Sequence, residues 1–386
     1  MNVLHFTAGY VPGIPTEAIA WHTLVYGARG TKLEVKVPTL TPAQILEVTQ
    51  TVRTATQTQI KNMAVSEIVR AVDLAILKLL DINHPDRKSL DALLPIATGM
   101  DPTMLQHNFS HYLKTFRGLQ LNRFIAEDFG NSQLLDAFQP RVTGGWTKAT
   151  GADLITHVWA GNVPGLPLWS LISGLLVKAG TLGKVSVAEP ICASIFAKVL
   201  IDIEPRFANC LSIIWWPTED TQTARHVFQL SDIVLAYGGN DALAAIQSQV
   251  PVTTRFLPHG HKISFAVVTS YALSVVRAKH IAKQAALDIA RYEQQGCYSP
   301  QMFYVERSAQ VSPQEFAQLL ASELAGLAHK YPRSDMTLEE KNNILKWRES
   351  QELEMLHTTS VQVLGDKNDD FVVDRKSTRL NSSHVS

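Results

Sequence analysis

Residues 158–177 read VWAGNVPGLPLWSLISGLLV, twenty positions without one charged side chain. A helix of that length is enough to cross a bilayer. The first half, however, holds Asn162, Pro164, Gly165 and Pro167, where a spanning helix has to be continuous. The better reading is a strand (DLITHVWAG, 153–161), an irregular turn carrying Asn162, and a buried helix (PLWSLISGLLVKAG, 167–180) closed by Gly180. No membrane span is expected.

Working outward, the same rhythm repeats. GKVSVAE (183–189) is a strand and PICASIFAKVLIDIEP (190–205) a helix that starts at a proline. CLSIIWWP (210–217) and DIVLAY (232–237) are strands with a short helix, ARHVFQLS (224–231), between them. GGNDALAAIQSQV (238–250) is a turn and helix, and KISFAVV (262–268) another strand. Strands alternating with crossover helices make a parallel sheet and a nucleotide-type α/β domain. Upstream, KLEVKV (32–37) alternates like a short strand. TPAQILEVTQTVRTATQTQI (41–60), AVSEIVRAVDLAILKLLD (64–81) and residues 102–130 carry apolar side chains at helical spacing. The first 130 residues therefore read as mostly helical. Downstream, SVVRAKHIAKQAALDIARYEQ (274–294) reads as one long helix running straight to Cys297.

The chain has 386 residues, 46% of them hydrophobic, which suffices for two domains with cores of their own. Thirty-five basic and 35 acidic side chains cancel, and no Lys/Arg block stands out, so nucleic acid is not an expected partner. The opening MNVLHFTAGYVPGIP lacks the basic start and apolar core of a signal peptide. Three cysteines with no CxxC pair argue against a disulfide framework or a zinc site and fit a reducing cytoplasm.

Few motifs carry chemistry. Gly238 and Gly239 lie between a strand end and a helix start, where glycine lets backbone approach a pyrophosphate. The full GxGxxG spacing is absent, and on this feature alone a tight strand-to-helix turn is the better reading. Cys192 and Cys210 sit in apolar surroundings as small hydrophobes. Cys297, in EQQGCYSPQ, follows a glycine and precedes Ser299-Pro300, a loop position that suits an accessible thiol. His259 and His261 are two residues apart with no third ligand beside them, so a strand-edge pair is expected rather than a metal site. His157, inside an apolar strand, is expected to be a hydrogen-bonded core histidine.

In order along the chain, HVWAGNVPGLPLWSLISGLLVKAG, SDIVLAYGGNDALAAI, HGHKISF and EQQGCYSPQ resemble the acyl-CoA reductases of bacterial luminescence. That LuxC-type fatty acid reductase family belongs to the aldehyde dehydrogenase superfamily, and the similarity runs from near Leu94 to about Val373. The resemblance implies an aldehyde-dehydrogenase-like α/β fold. A helical N-terminal region and a parallel-sheet cofactor domain would occupy 1–262, and a second α/β catalytic domain 263–373. It also implies that Cys297 is the catalytic thiol and that Asn162 supplies an oxyanion-hole amide beside the Cys297 backbone N–H. Gly238 and Gly239 then match the pyrophosphate turn, while Ser186 and Glu189 stand where the superfamily reads the adenosine ribose. NADPH is the implied cofactor, with NADH possible because Glu189 disfavours a 2′-phosphate.

Aldehyde-oxidising relatives carry a general-base glutamate where FLPHGHK puts Pro258. A reductase has no hydrolytic step and tolerates that loss. The implied reaction is NAD(P)H-dependent reduction of a long-chain acyl-CoA or acyl-protein thioester to the aldehyde. The implied partners are acyltransferase and synthetase subunits and, for the full-length protein, further copies of itself. The alternatives are a cysteine acyltransferase or hydrolase without hydride transfer, and a non-catalytic assembly protein. Finally, DRKSTRLNSSHVS (374–386) resembles the translation of a sequencing-adapter oligonucleotide, which would place the end of the natural sequence at about Val373.

Overall fold

The computed structural model describes residues 2–376 apart from 359, 367, 368 and 370. The chain divides into two compact units, Met1–His261 and Lys262–Ser386.

The first unit opens with a sheet. Strands β1 (Asn2–Thr7), β2 (Ala20–Ala28) and β3 (Thr31–Thr39) assemble with β3 in the middle, parallel to β1 and antiparallel to β2. This corrects the mostly helical reading of the N-terminus, which holds only from α1 (Pro42–Thr58) onward. The strand read from KLEVKV lies inside β3, where Leu33, Val35 and Val37 alternate into the core. Four more helices follow: α2 (Val65–Leu80), α3 (Pro85–Thr98), α4 (Pro102–Lys114) and α5 (Gly118–Phe129). The pattern over 102–130 thus divides into α4 and α5. A small hairpin, β4 (Gln139–Pro140) and β5 (Trp146–Thr147), leads to the main sheet.

That sheet is built from β6 (Leu154–Val158), β7 (Gly180–Lys184), β8 (Leu211–Ile214), β9 (Ile233–Tyr237) and β10 (Arg255–His259), all parallel, in the order β10-β9-β6-β7-β8. Its crossovers are α6 (Leu166–Leu176), α7 (Cys192–Ile203), α8 (Thr221–Gln229) and α9 (Asn240–Gln247). Every residue of β6 is buried, as expected of a parallel strand covered on both faces. Leu154 and Val158 join Leu182, Ile214, Val234 and the α1 residues Ile45, Val48 and Val52 in one apolar cluster. Burying each such side chain is worth about 1.5–3 kcal/mol. His157 points the other way, toward Gly174 of α6. The charge-free stretch over 158–177 is thus a strand end, a turn and the buried α6. Among the described residues no helix is long and apolar enough to cross a membrane.

In the second unit, β11 (Ser264–Val268) and β12 (Pro300–Val305) pair in parallel. Helices α10 (Ala278–Ala290) and α11 (Pro313–Lys330) pack Ala278, Ala282, Ala286, Phe316 and Leu320 into a separate core with Val268. Helix α12 (Leu338–His357) precedes an antiparallel pair, β13 (Val361–Leu364) and β14 (Val373–Lys376). Residues 374–376 of the adapter-like tail therefore continue a strand; 377–386 lie outside the described residues.

Candidate active site

In the first unit the chain reverses its direction of travel across the sheet at β6: β7 and β8 are added on one side, β9 and β10 on the other. In open parallel sheets, ligands bind at the strand C-termini beside such a reversal. Here those ends carry the turn 159–165 after β6 and the Gly238-Gly239 turn after β9.

The turn after β6 is held from several directions. A Cβ on Gly161 would come within 2.6 Å of the Ala188 Cβ, 2.7 Å of Ser186 Oγ and 2.9 Å of the Glu189 nitrogen, so only glycine lets the turn lie on the segment 186–189. Gly165 has φ +87°, and a Cβ there would meet Phe109 Cε2 at 2.8 Å and Tyr112 Cε1 at 3.1 Å. Gly165→Ala is therefore expected to destabilise the protein by about 1–3 kcal/mol, read as a fall in the denaturant midpoint. Trp159 Nε1 donates to Ser170 Oγ at 2.8 Å, pinning the turn's start to α6. Asn162 is exposed between these anchors.

Ser186 is half-buried just past the end of β7, and its Oγ accepts from the Ala188 N–H at 3.2 Å. Glu189 is only 2% exposed. Its Oε1 accepts from the backbone N–H groups of Ile191 (2.7 Å) and Cys192 (2.8 Å), capping the start of α7. Burial pushes its carboxyl pKa up, opposed by those donors and by the Gly165 N–H. The structure gives Glu189 the work of tying the Asn162 turn to α7. Lys184, last in β7, lies 5.4 Å from the Trp216 ring centroid, and burial draws its pKa down against the pull of Glu219.

The Gly238 N–H donates to the His259 carbonyl at 3.3 Å. Gly239 has φ −66°, which any residue adopts, and a Cβ there would meet nothing within 4 Å. The turn itself does not require glycine at 239; open backbone at the reversal is what a dinucleotide pyrophosphate needs. Exposed Asp241 in the first turn of α9 opposes an anion there. The open turn and its place at the reversal make the fit to a dinucleotide.

In the second unit the chain approaches Cys297 differently from the continuous helix read in the sequence. Helix α10 stops at Ala290, and Tyr292, Glu293 and Gln294 follow with φ 50°, 54° and 64°. Left-handed backbone costs L-residues about 1–2 kcal/mol each, so three in succession need outside support. Tyr292 is buried and meets Tyr298 edge-on, with ring centroids 6.2 Å apart. Glu293 accepts from the Ser334 N–H at 2.7 Å and from the Ser334 hydroxyl. Gln294 Nε2 donates to the Pro300 carbonyl at 3.0 Å. Ser264 Oγ donates to the Cys297 carbonyl at 2.6 Å. Cys297 itself is exposed, whereas Cys192 and Cys210 are buried. Burial, then the charge of Glu189, raises the Cys192 pKa; burial pushes Cys210 up to about 11. The supports at Ser264, Glu293 and Ser334 carried no local signal in the sequence, since Ser334 lies 41 residues beyond its partner.

Pro258 is exposed in the edge strand β10, opposite Ala236, a position that tolerates proline. No carboxylate occurs anywhere in residues 255–263. His259 stacks on Tyr237 with centroids 4.8 Å apart, and no cluster of metal-ligating side chains occurs among the described residues. His157 differs from expectation: it is fully buried, stacked on Trp159 at 5.9 Å, and neither ring nitrogen has a hydrogen-bond partner.

Residues 60–382 match the family described as acyl-CoA reductase (LuxC), most of the chain. The chain belongs to that family. Among relatives of this LuxC-family chain, the long-chain acyl-protein thioester reductase of Photorhabdus laumondii is 28% identical over 220 residues, 56% of this chain and 44% of that protein. The long-chain acyl-protein thioester reductase 2 of Photobacterium leiognathi is 28% identical over 200 residues, 51% of this chain and 41% of the relative. The chain thus spans less than half the length of the curated relatives it matches. Solved structures give the fold. Aldehyde dehydrogenase 21 from Physcomitrella patens superposes with a TM-score of 0.67 at 12% identity, covering 96% of this chain and 75% of its own. An indole-3-acetaldehyde dehydrogenase complexed with NAD+ gives 0.63 at 14% identity, covering 93% and 70%. The LuxC-family chain has an aldehyde-dehydrogenase-like fold.

Proposed function

We propose that the protein reduces a long-chain acyl thioester, carried on CoA or on a protein, to the aldehyde through an acyl-enzyme on Cys297. The observation that carries this reading is the exposed Cys297 at the end of a supported left-handed turn, in a chain of the acyl-CoA reductase family. Its thiolate attacks the thioester carbonyl, the carbon–sulfur bond to the carrier breaks, and the carrier leaves as a thiol with the proton that Cys297 gave up. Asn162 is assigned the amide that donates to the developing oxyanion. The Gly238-Gly239 turn is assigned the cofactor pyrophosphate, and Ser186 and Glu189 the ribose end, with NADPH favoured over NADH. The bound cofactor supplies the hydride. With no carboxylate in residues 255–263, this stretch lacks the carboxylate base that would turn water on the acyl-enzyme, which favours reduction over hydrolysis.

The deciding experiment mixes the protein with a long-chain acyl-CoA and NADPH and follows both thiol release and reduced-cofactor absorbance. Matched loss of absorbance and appearance of aldehyde is the expected result. Thiol release with constant absorbance would instead establish a hydrolase or acyltransferase. Asn162→Ala is expected to lower kcat by about 10²–10³-fold with little change in KM, and steady-state kinetics at saturating acyl-CoA will show it.

A further inference from the structure

We infer that Glu293 is a positioning residue, whose clamp on Ser334 enforces the left-handed turn that presents Cys297. The inference rests on the acyl-enzyme reading above for its consequence, but its geometry stands separately. Tyr292, Glu293 and Gln294 all have positive φ, and none is a glycine or an asparagine. Left to themselves such residues continue the right-handed conformation of α10, which ends only at Ala290. Something outside the segment must hold the reversed hand.

The middle residue carries the firmest hold. The Glu293 carboxylate takes both donors of one serine, the backbone N–H of Ser334 at 2.7 Å and its hydroxyl, and Arg333 Nε lies 3.8 Å from Oε2. The Glu293 side chain is 11% exposed, so solvent competes little for these bonds. Ser334 belongs to the link between α11 and α12, and the clamp therefore fixes the turn from a different part of the second unit. Cys297 follows four residues later, its carbonyl held by Ser264. Backbone forced into a rare conformation and over-determined by its surroundings is a known way to hold a reacting group out of its element. Here the forcing group is identifiable.

The test compares Glu293→Ala with Glu293→Gly. Both remove the clamp; only alanine keeps the resistance to positive φ, and at ordinary positions glycine is the more damaging of the two. Acylation is read as thiol released from palmitoyl-CoA without reduced cofactor, and folding as the melting temperature. Glu293→Ala is expected to slow acylation at least tenfold, while Glu293→Gly recovers most of the rate and melts above the alanine variant. Equal losses in the two variants, a lower melting temperature for glycine, or wild-type acylation in Glu293→Ala overturns the inference. If the two variants melt in the expected order but even the wild type never releases thiol, the acyl-enzyme reading is overturned, and the positioning role with it, while the clamp stands as a structural device.

Discussion

Cys297→Ala is expected to abolish acyl-enzyme formation and lower thioester reduction by about 10⁴-fold or more, the scale on which removing a covalent nucleophile acts. The size of the effect follows from the absence of a substitute. Cys192 is fully buried at the start of α7 with its pKa raised by desolvation and by Glu189, and Cys210 is buried with its own pushed up to about 11. Neither presents a thiolate near neutral pH, because the thiolate is the charged form that burial disfavours. Iodoacetamide should accordingly label one cysteine in the native protein, with the modified peptide containing Cys297, and inactivation should track that labelling. Retention of more than a few per cent of activity in Cys297→Ala, with the protein folded, would refute every cysteine mechanism for this chain.

The parts of this picture that were legible in the sequence share a physical reason. Strands β6 to β9 lie in short apolar runs broken by Pro and Gly, whereas β10, RFLPH, is a largely exposed edge strand with no such run and no strand is read there. Those runs make four strands of the parallel sheet and the Asn162 turn legible in the sequence. The N-terminal sheet was missed because β1 and β2 bury little: of the nine residues of β2 only Leu24 is buried, so no clean alternation marks the strand. The left-handed turn was missed because Tyr-Glu-Gln are ordinary helix residues and the sign of φ is imposed by Ser334 from the far side of α11. Glu189 has a structural task that the sequence does not reveal. Its place beside Gly161 and its bonds to Ile191 and Cys192 arise from tertiary structure, which no local pattern announces.

Acid is expected to destabilise the protein through His157, which the sequence reads as a hydrogen-bonded core histidine and the structure leaves without a partner. Its ring is fully buried, both nitrogens are unpartnered, and desolvation pulls its pKa from 6.5 down to about 3. The sign follows from proton counts. Below pH 6.5 the unfolded chain binds a proton at this position and the folded chain does not, so stability falls as pH falls and the loss is complete near pH 3. At about 1.4 kcal/mol per pH unit, the full window is worth on the order of 5 kcal/mol, comparable with the net stability of many domains. Above pH 6.5 the group contributes no pH dependence. Burial raises the Glu189 carboxyl and so acts with opposite sign, while the lowered carboxyls of Asp73 and Asp153 act in the same direction as His157. A comparison at one position separates them. His157→Phe keeps a ring against Trp159 and leaves no unpartnered nitrogen. Chemical denaturation of both proteins from pH 7 to 4.5 should show the wild type losing about 3 kcal/mol more than the variant. Parallel pH profiles would mean that the imidazole is hydrated or partnered in the folded protein, and that the strand β6 is less tightly covered than its burial indicates.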